Sequence, residues 1–235
     1  MVDMVAVVPS PPLLVPQLVA GRAAETAELR SACLRAASRL ADAADRWIVV
    51  AADPGGRRTL VQPVGGTFVG YGVDVPVALA PGAPVKPDLP LPLLIAGWLR
   101  GEVAEHVVAA AELVPPDLSA EECRAIGADL AGGAGSAGLL VVGDGAITHT
   151  QKAPGYLDRR AGPFDDRVAD ALAAADPHAL LALDVRLATE LGAAGRAPWQ
   201  VLAGATLALG GEWHGERLYS AAPYGVAYHV AVWWL

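Results

Sequence analysis

Val2 to Val8 is an apolar run broken only by Asp3, and it stops at Pro9-Ser10-Pro11-Pro12. Such a run predicts a buried first strand followed by a rigid loop over Pro9–Pro16. From Arg22 to Arg46 the residues Leu29, Cys33, Ala36 or Ala37, and Leu40 recur every three or four positions. That period predicts a helix with one face packed on a sheet. Trp47 to Ala52 is a second continuous apolar strand, ended by the turn-forming Asp53-Pro54-Gly55-Gly56. Strand, helix, strand with so long a crossover predicts a right-handed βαβ unit and a parallel core. Sheets of that kind bind ligands beyond the carboxyl ends of their strands.

The middle of the chain is less regular. Val73–Leu79 predicts a strand that Pro76 confines to an edge. Leu93–Val103 predicts a helix entered from the proline-rich connector Pro81–Pro92, and Val107–Val114 another strand. Ser119-Ala120-Glu121-Glu122 has the spacing of a capping box, so a helix should run to about Leu130. Beyond the glycine-rich link Gly132–Gly138, Leu139–Val142 is a buried strand that opens into Gly143-Asp144-Gly145-Ala146-Ile147-Thr148-His149-Thr150. Phe164, Val168, Leu172 and Ala175 mark a further helix, with Asp165 and Asp166 near its positive N-terminal end, and more helix follows to about Leu209. Trp213–Ala221 and Gly225–Trp234 pair as an antiparallel hairpin around Pro223-Tyr224. The pattern gives one α/β domain over residues 1–235: a central mixed, largely parallel sheet flanked by helices, closed by a C-terminal antiparallel hairpin.

Composition narrows the function classes. A formal charge of −8 leaves no cationic surplus for phosphate backbones, which argues against a nucleic-acid binder. With 54% hydrophobic and 18% charged residues, the chain has the apolar material of a folded globule. Cys33 and Cys123 are too few for a disulfide framework and read as buried thiols in a reducing cytoplasm. Asp3 stands where a secretory leader needs cations, so the expected location is cytoplasmic. The uncharged stretch Leu218–Leu235 contains Pro223, Gly225 and His229 and lacks a basic flank, which favours the hairpin over a membrane span.

Parallel strands bring three loops to one sheet end: Pro9–Pro12, Asp53–Arg57 and Gly143–Thr150. Among the five histidines, His149 alone follows a buried strand through such a loop, where an imidazole can exchange protons near neutral pH. A purely structural histidine, bonded to its own loop, is the competing reading. Asp144, five residues earlier, is placed to orient His149 or to make the turn. Metal ligands are scarce. His106 and His178 have no partner pattern, Glu212–Glu216 shows its acids and His214 to solvent, and His229 alternates with Val230 and Val232 as a satisfied, semi-buried histidine. Nucleophile-elbow, Walker and dinucleotide glycine motifs do not occur in the required strand-to-helix setting.

At these loops the chain resembles the class III extradiol ring-cleavage dioxygenase superfamily, in its LigB-like group, which also includes Memo-like proteins. The likeness is carried by Ala6–Pro16, with its Pro-Ser-Pro-Pro-Leu loop, by Val141–His149, and by Pro223–Tyr228. The resemblance implies a mixed sheet with a mononuclear metal at its end, ferrous iron in active dioxygenases, and a separate histidine that moves protons. His149 matches that histidine. Ser10 stands where the family has its first metal histidine, and Asp53, Pro54 and Gly55 are nearest to the second. Gly195-Arg196-Ala197-Pro198 resembles a Memo-like Cys-Gly-Arg segment, with Ala194 at the cysteine. A neutral hydroxyl is a poor substitute for imidazole toward iron.

The resulting expectation is a LigB-like protein with a degenerate metal site and no metal or other cofactor. Its cleft, built from Ser10, Asp53, Gly143, Asp144, His149 and Tyr224, would bind a small molecule or a partner. The alternatives are a non-haem iron dioxygenase with unusual ligands, iron or zinc then being its cofactor, and a metal-free hydrolase or isomerase with His149 as acid/base and Asp144 orienting it. A third class is an interaction protein whose hairpin, through Trp233 and Trp234, buries itself in a homodimer or partner.

Overall fold

The computed structural model describes every residue except Met1, Ala20, Arg22, Pro63, Pro87 and Ala134. In chain order its elements are β1 (Val2–Val8), α1 (Ala27–Ala43), β2 (Arg46–Ala52), β3 (Arg58–Leu60), β4 (Gly65–Thr67), β5 (Pro76–Ala78), α2 (Leu91–Val103) and β6 (Val108–Val114). They continue with α3 (Ala120–Ala131), β7 (Ala137–Val142), α4 (Ala161–Ala174), α5 (Pro177–Leu181), α6 (Val185–Leu191), α7 (Arg196–Leu209), β8 (His214–Ala221) and β9 (Tyr228–Trp234). Seven strands form one sheet in the order β3-β6-β2-β7-β1-β9-β8. The pairs β2–β6, β2–β7 and β1–β7 are parallel, while β3, β9 and β8 run antiparallel to their neighbours.

The four parallel strands are mostly apolar because both faces of the sheet are covered, the charged exceptions being Asp3 and Arg46 at strand starts and Glu112 in β6. Trp47, Val49 and Ala51 of β2 pack on the side of α1 and α2. Val50 faces the opposite side, with residues of α3, α4 and α7. Helix α1 buries the predicted stripe of Leu29, Cys33, Ala36, Ala37 and Leu40. Its expected start at Arg22 lies outside the described residues, and at its other end Arg46 already belongs to β2. The capping box forms in full: Ser119 Oγ accepts from the Glu122 amide, and the Glu122 carboxylate accepts from the Ser119 amide. Both predicted thiols are buried and free.

The strand expected over Val73–Leu79 is shorter, β5 over Pro76–Ala78, and it is an edge strand as Pro76 requires, paired with β4 in a separate two-stranded sheet. Trp233, which the interaction-protein alternative places in an intermolecular contact, is fully buried in the chain's own core and donates its indole N–H to Leu172 O at 2.7 Å. Trp234 is partly exposed and lies under the Arg39 guanidinium, 4.9 Å from the ring centre. Among the described residues no helix is long and apolar enough to cross a membrane.

Helices α3 and α7 touch backbone to backbone. A Cβ at Gly127 would stand 2.0 Å from Val201 O, and one at Gly204 would stand 2.3 Å from Arg124 O. The start of α7 is fixed by Arg196, which is 1% exposed and donates to the carbonyls of Pro116 and Leu118 and to Gln200 Oε1. Gln200 in turn donates to Leu180, Leu181 and Leu183. Two predictions separate packing from propensity. Gly127→Ala should cost about 2–3 kcal/mol in urea unfolding, because the helices must part. Gly101→Ala, in α2 with open space around it, should stabilise by about 0.5–1 kcal/mol.

Candidate functional site

The carboxyl ends of β1 and β7 are joined by close backbone contacts. Gly143, directly after β7, donates its amide to Val8 O at 3.0 Å. No side chain fits there, since a Cβ at Gly143 would lie 2.4 Å from the Cα of Gly195. Gly195 donates its amide to Asp144 O at 2.8 Å, so the N-terminus of α7 backs the loop. Ser10, which is 6% exposed, then meets Asp144: its amide donates to Asp144 Oδ1 at 2.8 Å, and its hydroxyl faces Oδ2 at 3.4 Å. The order of the strands predicts that Ser10, Gly143 and Asp144 lie together, and they do.

Asp144 points to the α1 side of the sheet. Burial pushes its carboxyl up to about 6, against the pull of the Ser10 amide and hydroxyl and of the His229 charge. Tyr228, whose hydroxyl is pushed upward first by burial and next by Asp144, shares this region. So does Cys33, whose thiol moves up for the same two reasons.

His149 sits on the opposite side of the loop. Its segment is stitched to its surroundings by amide bonds from Gly145 to Ala227 O, Ile147 to Leu191 O and His149 to Gly225 O, at 2.8, 2.9 and 3.1 Å. Its Nε2 lies 2.6 Å from Asp165 Oδ2, in the first turns of α4. The other carboxylate oxygen lies 3.0 Å from His229 Nε2, and His229 Nδ1 lies 3.0 Å from Ser220 Oγ. The Ala146 amide also donates to Asp165, at 3.3 and 3.2 Å from its two oxygens. Gly145 makes room for this carboxylate, because a Cβ there would be 2.3 Å from Oδ1. Trp199 meets the His229 ring edge-on, centroids 5.9 Å apart. His149 Nδ1 makes no hydrogen bond among the described residues, and its side chain is 19% exposed.

The partner of His149 is therefore Asp165 and not Asp144. The two carboxylates project to different faces of the sheet, and Asp144 is occupied with Ser10. Asp165 was legible as an anomaly: with Val168 and Leu172 it occupies the buried stripe of α4, where an acid needs partners. His229 was legible in the same way, sharing the inward face of β9 with Ala231 and Trp233, and it is 2% exposed.

Asp53 does not join the site. Its amide donates to Val114 O at 2.8 Å, and its carboxylate accepts from the Gly55 amide and from Arg58. A cavity of about 300 Å³ lies beside it, lined by Ala52, Pro54, Pro116, Asp117, Thr189 and Ala194 among others. Tyr224 is 40% exposed at the β8–β9 turn, next to the Gly225 carbonyl that holds the His149 amide.

The residues at the family's ligand positions do not fit an iron or zinc ion. The Ser10 hydroxyl faces Asp144, the Asp53 carboxylate is bound by Arg58, and Ala194 offers a methyl group. His149 and His229 each direct Nε2 at an oxygen of the Asp165 carboxylate.

The raised carboxyl of Asp144 sets a pH dependence. Held at about 6 in the fold against an ordinary value of 3.8, it binds its proton more tightly folded than unfolded. Its contribution to stability is thus full below pH 4 and is lost as pH rises through 6. Asp144→Asn, which keeps an acceptor for the Ser10 amide, should raise stability by about 2–3 kcal/mol at pH 8 and little at pH 4. Urea unfolding at the two pH values measures this.

No protein-family model and no curated protein sequence matches the chain. Among solved structures it is similar to the uncharacterized protein JW3007 from Escherichia coli K12, with a TM-score of 0.56 and 13% identity over 99% of this chain and 100% of that one. At that identity the likeness is one of fold, a single α/β domain built on a mixed, mostly parallel seven-stranded sheet with a C-terminal antiparallel hairpin.

Proposed function

We propose that the chain is a LigB-like protein in which the metal positions hold other residues. It binds a small molecule at the carboxyl edge of the sheet, beside the Tyr224 turn whose Gly225 carbonyl holds the His149 amide, and uses His149 to move a proton. The observation that carries this reading is the 2.6 Å contact between His149 Nε2 and Asp165. A buried carboxylate there keeps a proton on Nε2 and leaves the Nδ1 lone pair as the base. Asp165 also stabilises the imidazolium formed once that proton is taken. The reaction class supported is proton abstraction and return on a small molecule with an acidic C–H or O–H group, as in an isomerase or hydrolase.

The test starts from the purified full chain. Metal analysis should find iron and zinc well below one atom per chain, and catechols should cause no oxygen uptake. Enolisable carbonyl compounds that raise the melting temperature should exchange deuterium with solvent, followed by NMR. His149→Gln, whose amide still donates to Asp165, should slow that exchange by about 100-fold or more while shifting stability by less than about 2 kcal/mol. Stoichiometric iron together with catechol-dependent oxygen consumption would overturn the reading. Exchange undiminished in His149→Gln would do the same.

A further inference from the structure

Asp165 holds an imidazole on each carboxylate oxygen, and the second imidazole leads away from the loop after β7. The contacts run without a gap: His149 Nε2 to Asp165 Oδ2 at 2.6 Å, Asp165 Oδ1 to His229 Nε2 at 3.0 Å, and His229 Nδ1 to Ser220 Oγ at 3.0 Å. Side-chain exposure falls from 19% at His149 to 6% at Asp165 and 2% at His229. It rises again at Ser220, an exposed residue of β8, and β8 is the edge of the sheet. A buried row of titratable groups with both ends open is more than a brace for α4, which one hydrogen bond from β9 would provide.

We propose that His149, Asp165, His229 and Ser220 form a proton relay that connects the partly exposed His149 ring with bulk water at the sheet edge. This rests on the reading of His149 as a proton-moving group and adds the route by which the proton leaves. When His149 takes a proton on Nδ1, its Nε2 proton passes to Asp165 Oδ2. With Asp165 so neutralised, and in the state where His229 holds a proton on each ring nitrogen, His229 gives its Nδ1 proton to Ser220 Oγ. Ser220 gives its own hydroxyl proton to water. One proton enters and one leaves, the total charge of the row is unchanged, and nothing is oxidised or reduced. The reverse passage returns a proton to His149 for an acid step. Water has no room to short-circuit the row at Gly145, whose backbone lies against Asp165 Oδ1. The Trp199 ring closes the flank of His229.

The relay is tested without a substrate, on the full chain labelled with ¹⁵N-histidine, by the rate at which the His149 Nε2 proton exchanges with water in NMR. Ser220→Val suits a strand and seals the exit with apolar groups, and should slow exchange on the order of tenfold. Ser220→Gly admits water to His229 Nδ1 and should restore the wild-type rate. His229→Gln keeps hydrogen bonds but cannot pass a proton, and should match Ser220→Val. Both Ser220 substitutions lie on an exposed strand position, so they decide the matter even where His229→Gln fails to fold. A wild-type rate in Ser220→Val would overturn the relay, because protons would then reach His149 from its own exposed side. That result would leave the deuterium-exchange test of His149→Gln standing, so failure of the relay and failure of the acid/base reading are told apart.

Discussion

A buried carboxylate cannot stay in a protein interior unless donors surround it, and Asp165, on α4, meets that demand by collecting them from two other parts of the chain. His149 and the Ala146 amide come from the loop after β7, His229 from β9, and Asp165 itself from α4. The carboxylate therefore fixes the loop, the C-terminal hairpin and the helix relative to one another. It does so at the sheet end where the parallel strands terminate. Gly145 is a direct consequence, since any side chain there would occupy the space of the carboxylate.

The loop after β7 divides its chemistry between the two faces of the sheet. On the α1 side, Asp144 binds Ser10 among Cys33 and Tyr228. On the α4 side, His149 is committed to Asp165 and its network. The division follows from alternation: residues leaving an extended strand project to opposite sides, so Gly143 meets α7 while Asp144 turns toward α1. The two sides still sense each other, because the charge of His229 reaches Asp144.

The central fold was legible because its signals are local and strong. Parallel strands covered on both faces, such as β1, β2 and β7, read as continuous apolar runs, and the capping box of α3 announces itself in four residues. The hairpin followed from its turn residues and its alternation. Short strands carried too little signal: β3 and β4 have three residues each and owe their pairing to distant partners. In the site, Ser10, Gly143 and Asp144 were correctly grouped because their strands are neighbours. Asp53 was misplaced because a turn-forming acid spends its carboxylate on its own loop, here on Gly55 and Arg58. The error over the partner of His149 came from favouring proximity in sequence, while the true partner lay on a separate helix whose buried stripe already contained an unexplained acid.

Gly143 and Gly195 approach so closely that neither position is independent. A side chain at 143 would strike the Gly195 backbone, and one at 195 would strike the Trp199 indole 2.2 Å away. Gly143 can therefore be enlarged only by first sliding α7 outward, which would strain the Gly127–Val201 crossing with α3 and withdraw the amide that Asp144 O accepts. The packing of the helical layer is thus tied to the geometry of the strand ends, and α7 and the loop after β7 can change shape only together.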